Sequence, residues 1–327
     1  MALKVFTSAR AALETTARGT TTTPTRIIYA EEFTHEQEVA TIRPAELRNS
    51  YSGYFSASPG PETNRLRMSG RLSYDDAAWF GLLFVTGGVT ATGGGDPYTW
   101  AFLPTLDADD LESAEIQLGY ADTIATIPGV KLNYCVGDTL NLHFEKNDDG
   151  AVTFDAGFIA PLAATQITAF TGTLSDRSVT LASTNNTTTY SDPGAGTMGA
   201  TEDPLIIAVD WTLNNGFVPF FTLDGTTAAH AVYRPNHRVW TASITRQFGS
   251  DAPWDDFIDK TVQKIRVKTT SAAGRVITLD LYGVFTARSW SEVDGIITEE
   301  LTLEPIYNVS TTSDFSLTVI NGIAAIT

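Results

Sequence analysis

Apolar and polar residues alternate along most of this chain, the pattern expected of strands that bury one face. In "SAEIQLGY", Ala114, Ile116, Leu118 and Tyr120 point one way, with Glu115 and Gln117 the other. "GVKLNYCV" repeats the pattern with Val130, Leu132, Tyr134 and Val136. Later, Ile277, Leu279, Leu281 and Phe285 stand against Thr278, Asp280 and Tyr282, and Leu301 and Leu303 against Glu300, Thr302 and Glu304. "NLHFEKNDDGAVTFDAGF" reads as a hairpin around a polar turn. Leu142 and Phe144 share a face with Val152, Phe154 and Phe158, while Asn141, His143, Glu145, Thr153 and Asp155 fall on the other.

Two stretches break this period and predict helices. "LSYDDAAWFGLLFVTGG" has Ser73 as N-cap, Asp76 at the capping-box position, and Gly87-Gly88 as the stop. "SDAPWDDFIDKTVQK" has Ser250 or Asp251 as cap, Pro253 in the first turn, and an apolar stripe of Trp254, Phe257, Ile258 and Val262. One helix per half, each embedded in alternating strands, implies two related units. The Thr-, Asn- and Gly-rich "TLASTNNTTTYSDPGAGTMGATEDP" reads as a loop or linker, with "RSVTLAS" opening the second unit. The division expected is 1–26 as an N-terminal arm, 27–165 as a first domain and 166–327 as a second.

Composition narrows the function. The chain has 327 residues, 43% of them hydrophobic, enough to bury a core. Its 38 acidic and 21 basic residues give a net charge of −17, with no basic stripe to hold phosphates. Sequence-reading nucleic-acid binding is not expected. A lone Cys135 excludes an intramolecular disulfide and thiolate metal sites, and reads as a structural thiol. The N-terminal stretch lacks the apolar core of a secretory signal, and the apolar run near "WFGLLFV" is far short of the ~20 residues that span a bilayer. A soluble chain, away from membranes, is the expectation.

Candidate chemistry is thin. His143, Glu145 and Asp155 offer one nitrogen and two oxygens, but His35, His230 and His237 lack metal-ligand spacing relative to them. "DADDLE" and "NDDG" lack the alternating oxygens of a calcium loop. "TGGVTATGGGDP" leads into a strand and has no GK[ST] ending, so it is a flexible loop and not a phosphate cradle. No GxSxG is present. Neither catalysis nor a cofactor is expected, and the functional content should lie in surfaces.

Read in order, the first half resembles a known family. The stretch with "GT…PTR" is followed by a charged hairpin, then "RLRMSGRLSYDDAAWFGLLFVTGG", "YTWAF", "SAEIQLGY" and "IPGVKLNYCV". This order is similar to the double-domain major tail tube proteins of long-tailed bacteriophages, with the second half compatible as another copy. The resemblance implies a mainly β chain of two tail-tube-type β-sandwich or barrel domains, each with a flanking helix and a long hairpin. It implies homotrimeric rings with pseudo-sixfold symmetry, stacked into the tube of a virion and made in the bacterial host cytoplasm. Partners would be further copies of the chain, the tape measure, the tail terminator and baseplate or tip proteins, with DNA passing without specific binding. An acidic, hydroxyl-rich wall suits that passage. Glu115, Asp122, Asn141, Glu145, Asp280, Glu300 and Glu304 are then candidates for the lumen wall. Arg43, Glu46, Arg48 and Tyr54, in a 28–56 hairpin, are candidates for ring stacking. The alternatives are a β-sandwich adhesion or receptor-binding protein of a virion or cell surface, and a β-sandwich carbohydrate enzyme.

Overall fold

The computed structural model describes residues 8–14, 17–42, 57–104, 111–119, 129–146, 150–167, 170, 174, 179–223, 225–249, 252–293, 295–310 and 312–326. Its first half contains β1 (Ser8–Leu13), β2 (Arg26–Ile28), β3 (Glu32–Ile42), β4 (Ser58–Arg71), α1 (Tyr74–Phe80), β5 (Tyr98–Phe102), β6 (Ala114–Gly119), β7 (Gly129–Glu145), β8 (Thr153–Ala160) and β9 (Thr165–Ile167). Its second half contains β10 (Thr187–Pro193), β11 (Ile206–Asn214), β12 (Val218–Phe220), β13 (Ala231–Tyr233), β14 (Val239–Gln247), α2 (Ala252–Asp259), β15 (Gln263–Thr270), β16 (Val276–Val293), β17 (Ile296–Pro305) and β18 (Phe315–Asn321). The protein is mainly β, with these two helices and one large antiparallel sheet.

Strand order repeats. β3-β4-β8-β7 in the first half recurs as β11-β14-β17-β16 in the second, with α1 following β4 and α2 following β14. The flanks repeat too: β1 pairs β6 as β10 pairs β15, and β9 pairs β7 as β18 pairs β16. Both long strands carry a register shift at matching places, between Gly137 and Thr139 in β7 and between Phe285 and Ala287 in β16. A bulge bends its strand, and each of these strands changes neighbours there. β7 pairs β9 and β6 up to Cys135, β8 from Val136 onward, and β11 from Thr139 onward.

The core does not divide where the repeat does. One cluster takes in Trp79, Phe84 and Phe158 from the first half and Trp211, Trp240 and Phe315 from the second. β18 pairs β5 across the halves, and the Trp100 indole N–H donates to Ile323 O at 3.0 Å. No domain split is shown among the described residues. Ala182 N donates to Leu72 O at 2.8 Å and Val152 N to Ala182 O at 3.0 Å, which stitches the segment after that point to the first half.

Several sequence expectations change here. The segment read as a linker contains β10, which pairs β15 from Thr187↔Thr269 to Pro193↔Gln263. Cross-strand pairing, which local composition does not show, makes it a strand. "RSVTLAS" supplies only isolated bridges at Leu181 and Ser183 among its described residues. Residues 8–13, expected in an extended arm, form β1 between β2 and β6. The first helix behaves as read at its start: Ser73 Oγ accepts from Asp76 N at 3.0 Å. It then widens into a π-helical turn, Gly81–Val85, and stops before the glycine pair. The second helix ends at Asp259, and Gln263 and Lys264, read as helical, begin β15.

Candidate functional site

Alternation along β8, β7, β11, β14 and β17 puts every second residue into the core: Phe154, Leu142, Trp211, Ala242 and Leu303 are all buried. The residues between them form one continuous polar face. Its rows are read from the registers: Asp155 lies opposite Asn141, and Asn141 opposite Thr212 and so on to Thr241. In the next row Thr153, His143, Asp210, Ser243 and Thr302 follow one another across five strands. Thr245 faces Glu300, which faces Ser289. The face crosses from the first repeat to the second at the β7–β11 pair without interruption.

Several of its charges are paired within the face. Arg67 donates to Asp155 through Nε at 2.9 Å and Nη2 at 2.6 Å, a fork that fixes both groups. Ser243 Oγ donates to Glu300 Oε1 at 2.7 Å. His143 has both ring nitrogens on carboxylates: Nδ1 is hydrogen-bonded to Asp210, and Nε2 lies 3.0 Å from Glu145 Oε2. Carboxylates only accept, so the doubly protonated ring satisfies both contacts. Burial pulls the His143 pKa down, but the hydrogen bonds and charges of Asp210 and Glu145 outweigh it and raise it above the ordinary value. A groove of about 650 Å³ lies on this face, bordered by Glu32, Thr34, Glu36, Arg67, Asn141 and Thr212. Among the described residues no group of three or more His, Cys, Asp or Glu could hold a metal ion.

The residues singled out from sequence divide into four groups. Asn141, Glu145, Glu300 and Glu304 lie on the polar face, Glu300 and Glu304 among its exposed residues. Asp280 is on the same side of β16, but its side chain is only 13% exposed because Arg266 binds it at 2.6 Å. Glu115 is a correction. It is completely buried, since the Thr20–Thr25 segment covers the outer face of β6: Thr22 N and Gln117 Nε2 donate to its carboxylate at 2.9 and 2.6 Å. No wall role is open to it. Asp122, Arg43, Glu46, Arg48 and Tyr54 lie outside the described residues. Asp210, Thr212, Ser243 and Thr245 were not singled out. "AVDWTLN" and "WTASITR" do alternate, and that signal would have found them.

A comparison with family models finds no match, and a comparison with curated proteins finds no matching sequence.

Proposed function

We propose that this chain is a structural virion protein, a double-domain tail tube protein that polymerises into stacked rings enclosing a channel for the phage genome. The carrying observation is the polar face, with its acids and hydroxyls, that continues through strand pairing from the first four-stranded repeat into the second. DNA slides past a wall that repels or ignores phosphate, and clustered Lys or Arg would hold it. On this face Arg67 is neutralised by Asp155 and His143 lies between two carboxylates. On this reading each repeat is one tube-type domain, and the chain carries no catalytic role and no cofactor. Its partners are other copies, the tape measure, the terminator and the tip proteins, and its place is the phage tail.

Negative-stain electron microscopy of the purified chain across concentration and ionic strength tests this. Rings or hollow stacked tubes are expected. Separate particles under every condition would overturn the reading.

One observation favours the adhesion alternative. Phe220 and Tyr233 of the β12–β13 hairpin pack edge to face at 6.0 Å and stay half exposed, beside the exposed Phe221 and Leu223. Exposed aromatics on a hairpin are what a receptor binder would present. Binding of the free chain to host cells, lost on Phe220→Ser with Tyr233→Ser, would favour it.

A further inference from the structure

The outer face of β6 carries a buried group of side chains that the proposed function does not use. Glu115 and Gln117 are two residues apart on this strand, so their side chains leave the same face, and both are fully buried. Lys131 stands directly opposite Gln117 on β7, with its side chain only 15% exposed. Residues 20–25 close over them: Thr22 N donates to Glu115 Oε2 at 2.9 Å, and Lys131 Nζ to Thr21 Oγ1 at 3.2 Å. An amine, a carboxamide and a carboxylate are held together under this cover.

Their contacts are not those of an ordinary ion pair. Lys131 Nζ is 4.0 Å from Glu115 Oε2, well beyond the ~2.8 Å of a charge-assisted hydrogen bond. The other carboxylate oxygen engages Gln117, whose Nε2 donates to Oε1 at 2.6 Å. Arg10 faces Gln117 from β1, so a cationic residue stands opposite the carboxamide on either neighbouring strand. On the equivalent strands of the second repeat, β15 and β16, Arg266 faces Asp280 and binds it through two hydrogen bonds, at 2.6 and 2.8 Å. The first repeat instead sets an amine opposite a carboxamide. That pair has no salt bridge to make, but it can condense.

We propose that Lys131 and Gln117 form an intramolecular isopeptide bond, with Glu115 carrying the protons. Lys131 Nζ attacks Gln117 Cδ; the Nζ–Cδ bond forms and the Cδ–Nε2 bond breaks. Of the three protons on the Lys131 ammonium, one stays in the new amide. Two pass through Glu115 to the departing nitrogen, which leaves as ammonium. Glu115 ends as the carboxylate it began, and no oxidant or second substrate is needed. Its contact with the nitrogen that leaves is the one a proton carrier requires. Facing residues on antiparallel strands have Cβ atoms about 5 Å apart, which both side chains span. Fixing the two groups there replaces a chance encounter in solution. The bond ties β6 to β7, and in the unfolded chain it keeps residues 117 and 131 closed into a loop, which lowers the entropy gained on unfolding. It acts once, on the chain itself, and does not rest on the tube reading.

The intact mass of the purified chain under denaturing conditions tests this. A mass short of the sequence mass by one ammonia is expected, and the full sequence mass in Lys131→Arg. Trypsin then places the loss. No Lys or Arg lies between Arg71 and Lys131, or between Lys131 and Lys146. The linked chain therefore yields 72–146, uncut at Lys131 and short of one ammonia. The unlinked chain yields 72–131 and 132–146. Glu115→Gln is expected to keep its full mass; linkage at the wild-type rate in that variant would overturn the role given to Glu115. A wild-type chain of full mass, cut at Lys131, overturns the bond whether or not either variant folds. An ammonia loss that maps to any other peptide, such as one holding an Asn-Gly pair, overturns it equally.

Discussion

Asp210 of β11 stands directly opposite His143 of β7, and the two are hydrogen-bonded where the polar faces of the repeats meet. The contact is one of strand register, set by Leu142 and Trp211 burying their side chains on the far face. A slip of one residue would put His143 and Asp210 into the core. The polar face and the apolar core therefore specify the same pairing.

That pairing gives His143 a pH dependence with a definite sign. Its folded pKa is raised, so the protonated ring is favoured by folding. The stabilisation is fully present below the ordinary value of 6.5 and is lost as pH rises through the raised one. An NMR titration of the imidazole is expected to give a midpoint above 6.5, and His143→Gln should narrow its stability deficit as pH rises past that midpoint. A midpoint at or below 6.5 would contradict the geometry.

Two tryptophans separate core from surface. Trp79 is fully buried, with its ring 6.1 Å from Phe158, so Trp79→Ala should cost about 3–5 kcal/mol in chemical denaturation. Trp290 is mostly exposed, and Trp290→Ala should shift stability by less than about 1 kcal/mol. A loss at Trp290 as large as that at Trp79 would contradict its exposed placement.

Arg26 and Asp76 form a buried ion pair that ties the "PTR" segment to the first turn of α1. Removing one member strands the other charge, so Arg26→Leu should destabilise by about 3–5 kcal/mol. Restoring much of that with Asp76→Leu in the same chain is the expected check. Additive losses would mean the two groups act separately.

The wall assignment has its own test. Lysines placed together at Glu300 and Glu304 sit on exposed positions of this face, so folding and ring assembly should survive. Genome ejection should slow, because the wall then attracts phosphate. Unchanged ejection kinetics in assembled particles would refute it.

Much of this fold was legible because alternation fixes side: Leu142 against His143 and Leu301 against Glu300 sort as the sequence pattern says. The Ser73 cap was legible too, since its bond to Asp76 N is local. What alternation does not carry is the identity of the neighbour. Glu115 alternates like a surface residue, yet the 20–25 segment lies over it. β10 has no apolar period, and β15 makes it a strand. Asp210 and Ser243 belong to the site only through pairings between distant segments.

The most direct test of the central claim is labelling of Thr212→Cys with a bulky maleimide. Thr212 is exposed on the polar face of the free chain, and the buried Cys135, whose thiol pKa burial pushes well up, gives no background. Fast labelling of the free chain and strong protection in assembled tubes are expected if this face lines a closed channel. Labelling at the same rate in both would place the face on the outside and contradict the account.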